Sequence, residues 1–120
     1  MEWGTFATDG WSSPPVWIAQ TFRQRWKGLR PKSAGHGMLI KGGAVHGFGM
    51  REPLLAIGLD DWRRVVGLRI LHPRRAIRIR RAEEILELPV GALPPQQGAV
   101  LTWAGGGSVD LVCDTHRQPE

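Results

Sequence analysis

A chain of 120 residues with 42% hydrophobic and 22% charged side chains has the composition of an ordinary globular domain, which excludes the disordered and fibrous classes and is enough to bury a core without a metal or disulfide. Its single cysteine, Cys113, excludes an internal disulfide, and no long apolar run or leader-like start is present, so the expectation is a cytoplasmic protein with no membrane insertion. The net charge of +5 conceals a division, because residues 1–81 carry +10 and residues 82–120 carry −5.

Residues 1–15 hold Trp3 and Trp11 among Gly, Ser, Thr and Pro and end in "SSPP", which reads as a loose N-terminal arm. Of the six tryptophans, Trp17, Trp26, Trp62 and Trp103 fall in apolar segments and are the better core candidates. "VWIAQ" is a short β-prone run. Thr21 and Gln24 then have the spacing of a capping box, and Phe22, Trp26 and Leu29 share one helical face, which predicts a short helix stopped by Gly28 and Pro31. From 33 to 50 glycines recur at 35, 37, 42, 43, 47 and 49, leaving "GMLI" as a strand between tight turns.

"LLAIGL" and "VVGLRIL" flank "DDWRR" and predict an antiparallel hairpin with a loop of about five residues. In its second arm Val66, Leu68 and Ile70 alternate with Val65, Gly67, Arg69 and Leu71, so one face is apolar and the other mixed. Ile77 and Ile79 alternate with Arg78 and Arg80, "EILELP" alternates as well, and "GAVLTW" closes a single globular domain spanning 16–103. Residues 104–120, opening "AGGGS", read as a flexible C-terminal tail.

The chemistry-bearing residues form no complete constellation. His36, His46, His72, His116 and Cys113 lack the spacings of a zinc site, so no metal and no cofactor is expected. "GHGMLIKGG" lacks the Gly-Lys-Ser/Thr end of a phosphate loop, and no serine sits in a nucleophile elbow. Glu52 with Asp60 or Asp61 is a candidate acid pair across the hairpin, although acids in turns are usually only solvated. Glu87 interrupts a run of Ile and Leu on the face of Ile85 and Pro89. A shielded carboxylate there needs a cation, and Arg25 or Arg23 is a reasonable partner, which points to a structural ion pair rather than a catalytic acid.

In order, "TFRQRWKGLRP", "GMLI", "FGMR", "VVGLRILHP" and "ILELPVG" resemble the domain of unknown function 192 family, a set of uncharacterised bacterial and archaeal small domains. Thr21, Arg25, Gly28 and Leu29 match its helix motif, Gly37, Met38 and Leu39 its first strand motif, and Leu86, Glu87, Leu88 and Gly91 its strand-to-turn motif. The third motif is matched only in part, by Phe48, Met50 and Arg51. Gly49 stands at the family's Trp, Glu52 at its Asn, Pro53 at its Thr, Ala56 at a Pro and Gly58 at an Asp, so a polar site shared by relatives is altered between Gly49 and Gly58. The resemblance implies an α+β fold, a β-rich single domain built on a mostly antiparallel, curved or barrel-like sheet with one or two short helices. It implies no reaction.

Two answers remain for the arginine run. Arg69, Arg74, Arg75, Arg78, Arg80 and Arg81 lie within thirteen positions with no acid among them. As a strand, 76–80 turns Ile77 and Ile79 inward and lines Arg78 and Arg80 along the outer face, a ladder that the phosphates of a nucleic acid or an acidic protein could follow. No aromatic residue interleaves with them, and Glu83 and Glu84 are close enough in sequence to neutralise part of the charge, so the ladder also reads as a solvated edge that discourages sheet-to-sheet association. The leading functional expectation is a non-enzymatic binding or accessory domain. The alternatives are this basic surface binding nucleic acid or an acidic partner, and an enzyme with a site around His46, Met50, Arg51 and Glu52.

Overall fold

The computed structural model describes residues 2–19, 36–48 and 50–108. Ten strands occur in it: β1 (Glu2–Thr8), β2 (Trp11–Ser12), β3 (Val16–Ala19), β4 (Gly37–Lys41), β5 (Ala44–His46), β6 (Leu54–Leu59), β7 (Val65–Leu71), β8 (Ala76–Arg78), β9 (Glu84–Pro89) and β10 (Thr102–Ser108). Eight build one sheet in the order β10-β1-β3-β4-β9-β6-β7 with β2 paired to β1, while β5 and β8 form a separate two-stranded ribbon. The sheet curls into a half-barrel. Pairing is antiparallel except between β3 and β4.

No helix occurs among the described residues, which corrects the α+β class to an all-strand one. The physical reason is visible in β4, β9 and β6, whose apolar residues are buried on both faces, so the layer that would cover a one-sided sheet is supplied by more strand. The helix expected over 21–29 lies outside the described residues, as do Arg23, Arg25 and Trp26. No helix of the described residues is long and apolar enough to cross a membrane.

Alternation assigns the two faces of the central strands. Leu39, Leu55, Ile57, Leu59, Leu86 and Leu88 point into the curl, where Phe6, Val16 and Leu101 close over them. Met38, Ile40, Ala56 and Ile85 point the other way and are covered by Val45 of the ribbon together with Leu71, Ile79 and Ala82. Each fully buried Leu or Ile contributes roughly 1.5–3 kcal/mol relative to leaving it exposed, and β6 is buried along all six of its residues. The curl approaches closure where the start of β7 meets the segment before β10: Val65 N–H donates to the Ala99 carbonyl at 2.8 Å, Gly98 N–H to Val65 at 2.8 Å and Leu101 N–H to Arg63 at 2.9 Å.

Within the stretch read as an N-terminal arm, Glu2–Thr8 and Trp11–Ser12 form β1 and β2, and at the other end β10 continues through "AGGGS" to Ser108, the rest of the expected tail lying outside the described residues. Glycine is what allows it, because aromatic rings lie flat on positions without a Cβ. A Cβ on Gly106 would sit 2.5 Å from the Trp3 ring, and one on Gly4 would sit 2.6 Å from Trp103. The two paired strands thus interlock, and the Phe6 ring of β1 packs tilted against that of Trp103, centroids 4.8 Å apart. Ser13 fastens the turn after β2, its N–H donating to the Phe6 carbonyl at 2.8 Å while its Oγ accepts from Phe6 N–H at 2.9 Å.

The hairpin forms as expected between β6 and β7, but a bulge at Gly58/Leu59 pairs Gly58 with Gly67 and Leu59 with Val65. The bulge turns Val65 into the curl, and Ile70, expected on the apolar face, is 42% exposed on an edge strand. Trp62, expected in the core, is 73% exposed at the hairpin tip. Asp60 caps that tip, its Oδ1 accepting from Trp62 N–H and Arg64 N–H at 2.9 Å each, which is a turn-forming role rather than half of an acid pair.

Arg63 occupies the mouth of the curl in a left-handed backbone conformation, φ 62°. Its guanidinium lies 5.2 Å from the Phe6 ring centroid and 5.9 Å from that of Trp103, and its Nε donates to Glu84 Oε1 at 3.1 Å. A cation held by two rings and a carboxylate is stabilising even where partly exposed, so Arg63→Ala should lower stability by about 1–2 kcal/mol, with Arg64→Ala near zero. Chemical denaturation of the two variants checks this, and indistinguishable midpoints would refute it.

Candidate functional site

The arginine run is organised by the β5–β8 ribbon. Its apolar residues are drawn inward, Val45 and Ile79 buried and Ile77 half-buried against the outer core face. Alternation then leaves Arg78 and Arg80 exposed, and Arg69, Arg74, Arg75 and Arg81 are exposed as well. Ile79 anchors the arrangement. The paired glycines Gly58 and Gly67 form a notch for its side chain, a Cβ on either lying 2.5 Å and 2.7 Å from Ile79 Cγ2. The ribbon is further tied down by Ile79 N–H donating to Gly43 at 2.9 Å.

Arg69, from β7, joins the ladder across space, its Nη1 donating to the Arg78 carbonyl at 3.4 Å. Arg74 and Arg81 stand at the two ends of β8 with φ 65° and 70°, a conformation in which glycine or asparagine would be relaxed and arginine is not. At about 3.3 Å per residue, the stretch from Arg74 to Arg81 extends at most roughly 23 Å. Glu84 pairs with Arg63 rather than with an arginine of the run. Glu83 is exposed. Among the described residues none of the six arginines pairs with a carboxylate.

An aromatic neighbour, absent from the local sequence, arrives through the ribbon. Gly47 N–H donates to the Arg75 carbonyl at 2.7 Å, and Arg74 N–H donates back to Gly47 at 3.1 Å. Gly47 lies between His46 and Phe48. Phe48 is 60% exposed, its ring 5.2 Å from that of His46, and its N–H donates to His46 Nδ1 at 3.3 Å. His46 was legible as a candidate and Phe48 as a family-motif residue, but nothing in the sequence placed either beside Arg74 and Arg75. An apolar ring between two glycines was the available signal.

The residues of the enzyme alternative lie on and just after β5, where Met50 N–H donates to the Gly47 carbonyl at 3.1 Å. Met50 packs against the outer core face, His46 is half-buried on β5, and Arg51 and Glu52 are exposed. No group of three or more His, Cys, Asp or Glu able to hold a metal occurs among the described residues. His36 stands edge-on to Trp17 at 6.2 Å, where burial lowers its pKa and favours the neutral imidazole. A separate open cleft of ≈ 500 Å³ between Trp11, Pro14, Pro89 and Leu93 is bridged by the Trp11 indole donating to the Leu93 carbonyl at 2.7 Å. Glu87 is fully buried in β9 between Met38 and Ala56 of its neighbours, and its expected partner Arg25 lies outside the described residues.

No family model matches this sequence, and no curated protein matches it. Among solved structures, the chain is similar in fold to a protein of Sinorhizobium meliloti 1021 described as a "putative transcription regulator", with a TM-score of 0.64 and 20% identity over 85% of this chain and 92% of that one.

Proposed function

We propose that this protein is a non-enzymatic binding domain whose working surface is the arginine face of β7 and β8 and whose partner is a nucleic acid. The observation that carries the reading is that six exposed arginines, Arg69, Arg74, Arg75, Arg78, Arg80 and Arg81, share one acid-free stretch and remain without carboxylate partners among the described residues. An edge guard against aggregation needs one or two charges. Six, two of them held in a left-handed backbone conformation, exceed that need, and strained positions concentrate where a surface is used. Arginine also offers the forked donor geometry that suits phosphate. The description of the fold neighbour as a putative transcription regulator is in keeping with this reading.

Membership of the domain of unknown function 192 family is proposed with it. The motif strands lie side by side in the sheet, Met38 opposite Glu87 and Leu39 opposite Leu86, which suits motifs that act as one packed unit. Gly58, which stands at an aspartate of the family pattern, here receives the Ile79 side chain. A polar position of that motif has become an apolar, packed one, and this supports moving the working surface to the arginines.

If the arginines contact phosphates, retention on heparin and DNA columns should fall steeply with salt. The Arg78→Ala/Arg80→Ala variant should flatten the log–log salt slope by roughly two units, one for each phosphate no longer neutralised. Coincident elution of wild type and variant across the salt series would leave the arginines as a solvated edge and remove the proposal.

A further inference from the structure

The segment bonded to Arg74 and Arg75 carries an exposed phenylalanine, Phe48, beside the half-buried His46, and this combination selects among nucleic acids. We infer that Phe48, braced by His46, is a base-stacking platform and that the ligand is single-stranded nucleic acid; the inference rests on the nucleic-acid reading above and specifies its substrate class.

Three observations support it. Phe48 is 60% exposed, and leaving a ring of that size in water is unfavourable unless something covers it. Its ring has a neighbour on one side, the His46 ring at 5.2 Å, which its own backbone N–H holds by donating to His46 Nδ1 at 3.3 Å. It is also attached to the charged strip, because the two hydrogen bonds of Gly47 clamp the 46–48 segment to Arg74 and Arg75. A cationic track for the backbone with an aromatic ring at its margin is the arrangement that holds unpaired bases, whose faces are free to stack.

Duplex fits less well. No helix of the described residues carries the arginines toward a major groove, and the ribbon that does carry them is only three residues per strand. Val45, Ile77 and Ile79 pack that ribbon onto the sheet, so it cannot project into a groove as a free β-ribbon would. In a duplex the bases are already stacked on one another, and Phe48 would meet only backbone.

The test uses the full chain with fluorescently labelled oligo-dT and oligo-U of about fifteen nucleotides, chosen to cover one site, a mixed-sequence duplex of equal length, and a heparin column. Single strands should bind more tightly than the duplex at equal salt. Phe48→Ala should weaken single-strand binding roughly 5- to 100-fold, the range for removal of one stacked base, while leaving heparin retention unchanged, and Phe48→Trp should retain it. The oligo-dT and oligo-U arms tell whether DNA or RNA is preferred. Duplex bound as tightly as single strands, or Phe48→Ala binding within twofold of wild type, overturns this inference and leaves the basic surface standing. Wild type that binds neither oligonucleotide nor heparin overturns both.

Discussion

Gly58→Val should lower stability by roughly 1–3 kcal/mol, a fall of several degrees in Tm for a domain of this size, and should displace the arginine face with it. The cause lies in one close approach. Gly58 and Gly67 are cross-strand partners, and Ile79 Cγ2 fills the space that a Cβ on either would need. Ile79 is buried against the outer core face, and its neighbours Arg78, Arg80 and Arg81 take their positions from that anchor. A valine at 58 must therefore either push Ile79 out or separate the ribbon from the sheet. The two routes are distinguishable by a compensating deletion. Gly58→Val combined with Ile79→Ala should be clearly more stable than the sum of the two single effects predicts, because the added volume enters the space vacated. Strict additivity of the three melting curves would show that Ile79 does not occupy that notch in solution.

Glu87→Gln should destabilise by about 1–3 kcal/mol, whereas Glu83→Gln should change stability by less than about 0.5 kcal/mol. Glu87 has 0% exposure in the middle of a strand buried on both faces, and Glu83 is exposed two residues before that strand's apolar run. A carboxylate in such a place is stable only with its charge met, and the amide keeps the shape while removing that charge. Arg25 is the proposed partner. In a double-mutant cycle, Glu87→Gln and Arg25→Gln should couple by more than about 1 kcal/mol. Equal melting temperatures for the Glu87 and Glu83 variants would refute the buried brace altogether, and additive Glu87 and Arg25 effects would reassign the partner.

The central strands were legible because their information is local. "GMLI", "LLAIGL", "VVGLRIL" and "EILELP" are apolar runs bounded by Gly, Pro or acidic turns, and they became β4, β6, β7 and β9. The chain ends were not legible. "EWGTFAT" and "TWAGGGS" look too polar and too rich in glycine to form strands. Each becomes one only because its partner, about a hundred residues away, supplies a tryptophan ring to lie over its glycine. Trp62 misled for the opposite reason, since apolar neighbours in sequence do not bring a hairpin tip into the core.

By itself the sequence determined the cationic run from Arg69 to Arg81, the inward and outward alternation of Ile77, Arg78, Ile79 and Arg80, and the presence of a carboxylate within an apolar strand. These are properties of composition and of the two-residue period of a strand, and they need no partner. The tertiary structure alone decided that Glu84 serves Arg63 rather than neutralising the ladder, that Glu87 is wholly enclosed, and that Phe48 stands beside Arg74 and Arg75. Each of those depends on pairing between segments twenty or more residues apart, where proximity is set by sheet register and curl, and no local pattern of residues encodes it.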